Sequence, residues 1–232
     1  MKGRILMGRR KYILVVDVEG TAHGFVYDVG FAVADLQGRI YETFSGIVAD
    51  VIIGMREEMN TAYYVDKLPQ YVNRIAEDRT ICKDLNAIRG KVFEVMGRYQ
   101  IDTVAAYNVI YDRGALNRTI SAVTDGFVTS FFPENTVFWD IWGMACESIL
   151  QRKAYKNAAI ENGWVTEKGN IKTGAEFAYR YISDNKVFEE EHMGLDDVII
   201  ETAIMAATIA TKKKLTRTEI PQPWRLVNPK EF

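Results

Sequence analysis

Residues 11–18, KYILVVDV, constrain the fold of this chain more than any other stretch. Between Lys11 and Asp17 they are apolar and rich in β-branched side chains. That is the pattern of a short strand buried on both faces, as in the middle of an α/β sheet. The run leads into Asp17 and Glu19. Strand side chains alternate between faces, so two acids two residues apart point the same way and can share a metal ion. Taken alone, D-x-E is a weak sign, and solvated acids at a strand end would read the same. The lead-in ILVV argues for more, because a central strand has few structural uses for two carboxylates.

Residues 25–34 and 40–48 read as two further strands. Leu36-Gln37-Gly38-Arg39 joins them as a hairpin turn in which Gly38 can take positive φ. Ile81, Leu85, Ile88, Val92, Val95 and Tyr99 recur at three- and four-residue steps and predict an amphipathic helix. A strand over 104–107, a helix over 111–123, a short strand over 137–139 and a helix through 149 follow. Helices over 173–182 and 195–210 come last, the second closed by Lys212, Lys213 and Lys214, where cations favour a helix C-terminus. A meander followed by β-α-β-α predicts the α/β class: a mixed five-stranded sheet with helices on both faces, as in ribonuclease H-like folds.

The chain divides into a basic lead over 1–10, one domain over 11–214 and a tail over 215–232. The tail carries three of the five prolines and reads as an extended arm, with Trp224 packing back on the domain. Its 232 residues and 48% hydrophobic content suffice for one large core. A formal charge of -2 and a pI near 5.8 exclude a bulk electrostatic hold on duplex nucleic acid, so any such contact is local. Two cysteines without a C-x-x-C speak against zinc and for a reduced, cytoplasmic protein. The apolar run after the basic start is broken by Asp17, and VIIETAIMAATIA holds Glu201 and is too short to span a bilayer. No membrane partner is expected.

Two more motifs carry chemistry. Asn108 and Asp112 straddle a strand-to-helix junction. Asp112 could reach the carboxyl end of the neighbouring strand, where open α/β sheets place ligands; complementing a helix N-terminus is its ordinary use. His192 and Asp197 are five residues apart, about 140° off one helical face, so they converge only if His192 lies in a loop and Asp197 on the helix. Gly194 permits such a loop, and Glu189, Glu190 and Glu191 before it read as solvated acids. Histidine suits proton abstraction near neutral pH. Together, four carboxylates and a histidine meet what a two-ion phosphodiester-cleaving site requires. No G-x-G-x-x-G or G-K-[ST] loop points to a nucleotide-binding α/β domain instead.

The order D-x-E, N-x-x-x-D, H-x-x-x-x-D, on strand, helix start and loop-helix, resembles the DEDDh 3′–5′ exonucleases. That family includes proofreading exonucleases, RNase T and oligoribonuclease. The likeness runs from about residue 11 to 211. YDVGFAV resembles the family's second strand, and Trp139-Asp140-Ile141 resembles its D-T segment. The resemblance implies that Asp17 serves two ions, Glu19 and Asp197 hold the first, Asp112 helps hold the second, and His192 is the general base. It implies two Mg2+, with Mn2+ as substitute, and single-stranded DNA or RNA 3′ ends as substrate, DNA before RNA. A homodimer and a replication or repair partner are expectations of the same kind.

Gly20, Thr21 and Ala22 stand where the family's loop meets the 3′-terminal nucleotide, and Asn108 joins them as a substrate-binding candidate. The loop here is GTAHG rather than one with two threonines, and Tyr107 replaces a common histidine. Tyr63, Tyr64 and Tyr71 read first as helix packing faces and second as platforms for stacked bases.

Overall fold

A computed structural model describes residues 11–228. The basic lead and the last four residues lie outside the described residues. Six strands form one mixed sheet: β1 (Tyr12–Gly20), β2 (Val26–Asp35), β3 (Ile40–Val48), β4 (Ile81–Lys83), β5 (Thr103–Ala106) and β6 (Val137–Asp140), in the order β4-β3-β2-β1-β5-β6. β1, β2 and β3 are the expected antiparallel meander, while β5 pairs parallel to β1, β6 to β5 and β4 to β3. Gly38 takes φ +80 in the hairpin turn, where Asp35 Oδ1 accepts from the Gln37 and Arg39 amides at 3.0 Å each.

The five-strand expectation is corrected to six. The added strand is β4, whose three residues the periodicity had merged into the following helix. That helix starts at Leu85 because Asp84 caps it, its carboxylate accepting from the Ala87 amide at 2.7 Å. Ile81 is therefore an exposed edge-strand residue rather than part of the helical stripe.

The helices are α1 (Ala49–Ile52), α2 (Arg56–Met59), α3 (Leu68–Ala76), α4 (Leu85–Tyr99), α5 (Val109–Val123), α6 (Ile141–Ala145), α7 (Lys153–Glu161), α8 (Ala175–Ile182) and α9 (Gly194–Thr211). A π-helical turn, Cys146–Leu150, extends α6. The sheet separates two cores. α4 and α5 cover one face through Leu85, Ile88, Val92, Leu116 and Ile120; α6, α8 and α9 cover the other through Ile141, Met144, Ala178, Val198 and Ile204. β2 is buried along its whole length.

The tail is docked rather than extended. It makes a 3-10 turn over Pro223–Leu226, buries Pro223 and Val227, and locks Asn228 to both the amide and the carbonyl of Ile171. Lys212 leaves α9 to pair with Glu147 at 2.6 Å. Among the described residues no helix is long and apolar enough to cross a membrane. Cys82 and Cys146 are free.

Candidate metal centre

The pleat of β1 sorts its side chains. Leu14, Val16 and Val18 enter the core under α4 and α5, whereas Ile13 and Val15 enter the core under α9. Asp17 and Glu19 continue the second set, so both carboxylates face α9. Asp17 lies opposite Gly30 on β2, and Glu19 opposite Asp28.

Those two β2 residues bring α9 to the acids. A Cβ placed on Gly30 would fall 2.1 Å from the carbonyl carbon of Gly194, and one on Gly194 would fall 2.6 Å from the Gly30 nitrogen. Helix and strand touch backbone to backbone. Gly194 is thus needed for proximity, not for a loop conformation; the left-handed residue is His192, at φ +50. Asp28 ties the same junction, its Oδ2 accepting from the Gly194 amide and from the Tyr71 hydroxyl, each at 2.9 Å. Tyr71 is therefore a buried brace and not a stacking platform. Of the two acids in the first turn of α9, Asp196 pairs with Arg74 of α3 at 2.6 Å, and Asp197 is buried toward β1.

Ligand atoms of Glu19, His192 and Asp197 all lie within 4.8 Å of one another, a spacing that could hold one metal ion. The Tyr64 ring stacks on His192 with centroids 4.2 Å apart and planes 9° apart, which fixes the imidazole plane. Tyr63 beside it is exposed.

Asp112 arrives from the other side of the sheet, in the first turn of α5. It is buried, and the Val18 amide donates to its carboxylate. Asn108 stands at the N-terminal boundary of this helix at φ +78 without a side-chain bond to it, and its backbone N–H donates to Asp140 Oδ1 at 3.3 Å. Asp140, in the segment Trp139–Ile141, is thus a buried clamp on the loop that presents Asp112.

Gly20, Thr21 and Ala22 line the end of β1. A Cβ on Gly20 would sit 2.7 Å from the Tyr111 hydroxyl. Thr21 is buried, its amide donating to the Phe25 carbonyl at 2.9 Å, while the Ala22 amide donates to the Thr61 carbonyl at 3.0 Å. Both amides are thus engaged within the protein. His23 is exposed and pairs with Glu58 at 3.1 Å.

Two acids were missed from the sequence. Glu201, one helical turn after Asp197 on α9, is 3% exposed and accepts from the Tyr107 amide at 3.1 Å. A single acid inside VIIETAIMAATIA was the available signal. Glu190 reads in the sequence as solvated, yet its side chain is largely buried, its backbone amide donates to Glu176 at 3.3 Å, and burial and then Glu176 push its pKa to about 7.

Charge crowds here. Burial, then Glu201, Asp112, Asp197 and Glu19 push the Asp17 carboxyl well above the usual range. Burial and then Asp197 raise Glu19 to about 9; burial and then Glu190 raise Asp197 to about 8. Burial and then Lys67 lower His192, favouring the neutral ring. Among the described residues, no lysine or arginine forms an ion pair with Asp17, Glu19, Asp112, Asp197 or Glu201. Asp17 Oδ2 is enclosed without a hydrogen-bond partner. Carboxylate oxygens in this number, with one orphaned and one imidazole beside them, suit hard divalent cations. No protein-family model matches the sequence, and no curated protein matches it.

Proposed function

We propose that this chain is a metal-dependent 3′–5′ exonuclease of the DEDDh type, acting on single-stranded nucleic acid. One observation carries the reading: Glu19, His192 and Asp197 lie within reach of one ion, and the charges of Asp112, Asp197 and Glu19 act on Asp17 at the carboxyl end of the central strand, where among the described residues no lysine or arginine pairs with these acids. The sheet order supports a ribonuclease H-like arrangement, with β1 between antiparallel β2 and parallel β5 and β4 as an added edge. DNA is the first choice of substrate because the motifs resemble those of proofreading enzymes.

Two magnesium ions, or manganese in their place, would supply positive charge to activate the attacking water and stabilise the departing oxygen. In this reading Glu19 and Asp197 would hold the first, Asp112 would help hold the second, and Asp17 would serve both. His192, neutral and fixed in plane by Tyr64, accepts the proton of the attacking water on a ring nitrogen. The water oxygen bonds to phosphorus, the bond from phosphorus to the 3′ oxygen breaks, and that oxygen takes a proton. The products are a nucleoside 5′-monophosphate and a chain one nucleotide shorter, with a new 3′ hydroxyl.

The test is a gel time course on 5′-labelled single-stranded DNA and RNA with magnesium, manganese or chelator, beside Asp17→Ala. The expected result is a ladder shortening one nucleotide at a time, dependent on metal and absent in the variant. Preference for chains of two to five nucleotides would mark an oligoribonuclease. Binding of 3′ ends without shortening under either metal would replace catalysis by end recognition.

A further inference from the structure

We propose that Glu201 is a fifth acidic ligand of the metal centre, acting beside Asp17 and Asp112. The inference rests on the metal reading above and adds a residue that the D-x-E, N-x-x-x-D and H-x-x-x-x-D motifs do not contain.

Its placement follows from helical geometry. Residues four apart on a helix share a face, so Glu201 extends the face of α9 that presents Asp197, one turn further along β1. Ile200 and Ile204 around it are buried, and Glu201 itself is 3% exposed, so the carboxylate is not reaching water. Only one of its oxygens has an assigned task. Oε2 accepts from the Tyr107 amide, in the loop that leads through Asn108 to Asp112. Of the carboxylates acting on Asp17, Glu201 acts most strongly, and of those acting on Glu201, Asp112 does.

A structural hydrogen bond to one amide does not account for a buried acid at this position, because glutamine would make the same bond without adding charge beside four carboxylates. An orphaned group close by points to a ligand. Asp17 Oδ2 is enclosed and unpartnered. Glu19, 8% exposed, offers a ligand atom within 4.8 Å of those of His192 and Asp197. With Glu201 the centre carries five acids, which two divalent ions offset almost fully.

The test uses the full chain with Mn2+ or Mg2+ alone and no nucleic acid. Affinity and stoichiometry come from calorimetry, and metal-free and metal-loaded melting temperatures from thermal denaturation, for wild type, Glu201→Gln, Glu201→Asp and Asp17→Asn. A ligand role predicts that Glu201→Gln weakens binding of an ion by at least the ~10–100-fold that loss of a group supporting a ligand costs, with a metal-free melting point equal to or above wild type. It also predicts that Glu201→Asp, which keeps the charge, binds better than Glu201→Gln. A purely structural role predicts the reverse: glutamine equals wild type, and aspartate, too short for Tyr107, is the damaged variant. Wild-type metal affinity in Glu201→Gln, with loss in Asp17→Asn, overturns the role of Glu201 and leaves the metal reading standing. No metal binding by wild type overturns both.

Discussion

Gly30 on β2 and Gly194 at the start of α9 meet backbone to backbone, so closely that a methyl group on either would overlap the other's main chain. This contact sets how near Asp197 and Glu201 come to Asp17 and Glu19, because both helical acids ride on the element that Gly194 begins. Gly30→Ala should therefore push α9 off the sheet. The expected cost is at least the ~1–3 kcal/mol of ordinary overpacking, together with weakened metal binding. Chemical denaturation and calorimetry with Mn2+ check it; unchanged stability with unchanged metal affinity would show that the contact does not position the site.

Asp28 holds the same junction chemically. Its Oδ1 is buried without a partner, so the two donors on Oδ2, Tyr71 and Gly194, carry the whole task. Tyr71→Phe removes one of them and leaves the Gly194 amide alone, which should cost about 1.5–3 kcal/mol, the usual worth of a hydrogen bond to a charged group. A denaturation midpoint within error of wild type would dismiss Tyr71 as a brace.

His192→Ala should slow hydrolysis about 10²–10⁴-fold, the usual value of a positioned proton acceptor. Metal affinity, read separately, tells whether the loss is of a base or of a ligand. If the acidic limb of the pH-rate profile stays in place without the imidazole, His192 is not the group whose titration limits the rate.

Stability without metal should fall as pH rises. Glu19 and Asp197 titrate near 9 and 8 in the folded protein, above the value near 4 of an unfolded carboxyl. The folded state thus keeps protons that the unfolded chain has released. The stabilising effect is complete below about pH 4 and is lost as pH climbs through the folded values. Melting temperatures in chelator should decline from about pH 5 to pH 9, and magnesium should rescue them most at the alkaline end. A flat or rising curve in chelator would mean that the acids do not face one another as described.

Much of this architecture is legible in the sequence because it is local. The strand KYILVVDV, the turn at Gly38, the helical periods and the shared face of Asp17 and Glu19 all follow from repeats of two or 3.6 residues. The placement of His192 in a loop and Asp197 on a helix follows in the same way, from the angle that five helical residues subtend. Even Glu201 left a trace, as the one acid in the apolar run VIIETAIMAATIA, four residues after Asp197.

What the sequence alone does not settle is which face meets which. Edge strand β4 is too short to have a period of its own and exists only because Gly46–Val48 offers it a partner. Glu190 reads as one of three solvated acids until α8 folds over it. Tyr71 reads as a helix packing face, but the bond from its hydroxyl to Asp28 shows only once α3 lies on the sheet. Gly194 reads as a loop residue until Gly30, 164 positions away in the chain, is found against it. Local propensity is set by neighbours a few residues apart, whereas these contacts join segments whose proximity is a property of the packed sheet and helices as a whole. The sequence by itself determined the elements and most of the acids; the tertiary structure decided that Glu201 is buried on the face of α9 that presents Asp197, and that among the described residues no lysine or arginine pairs with these carboxylates.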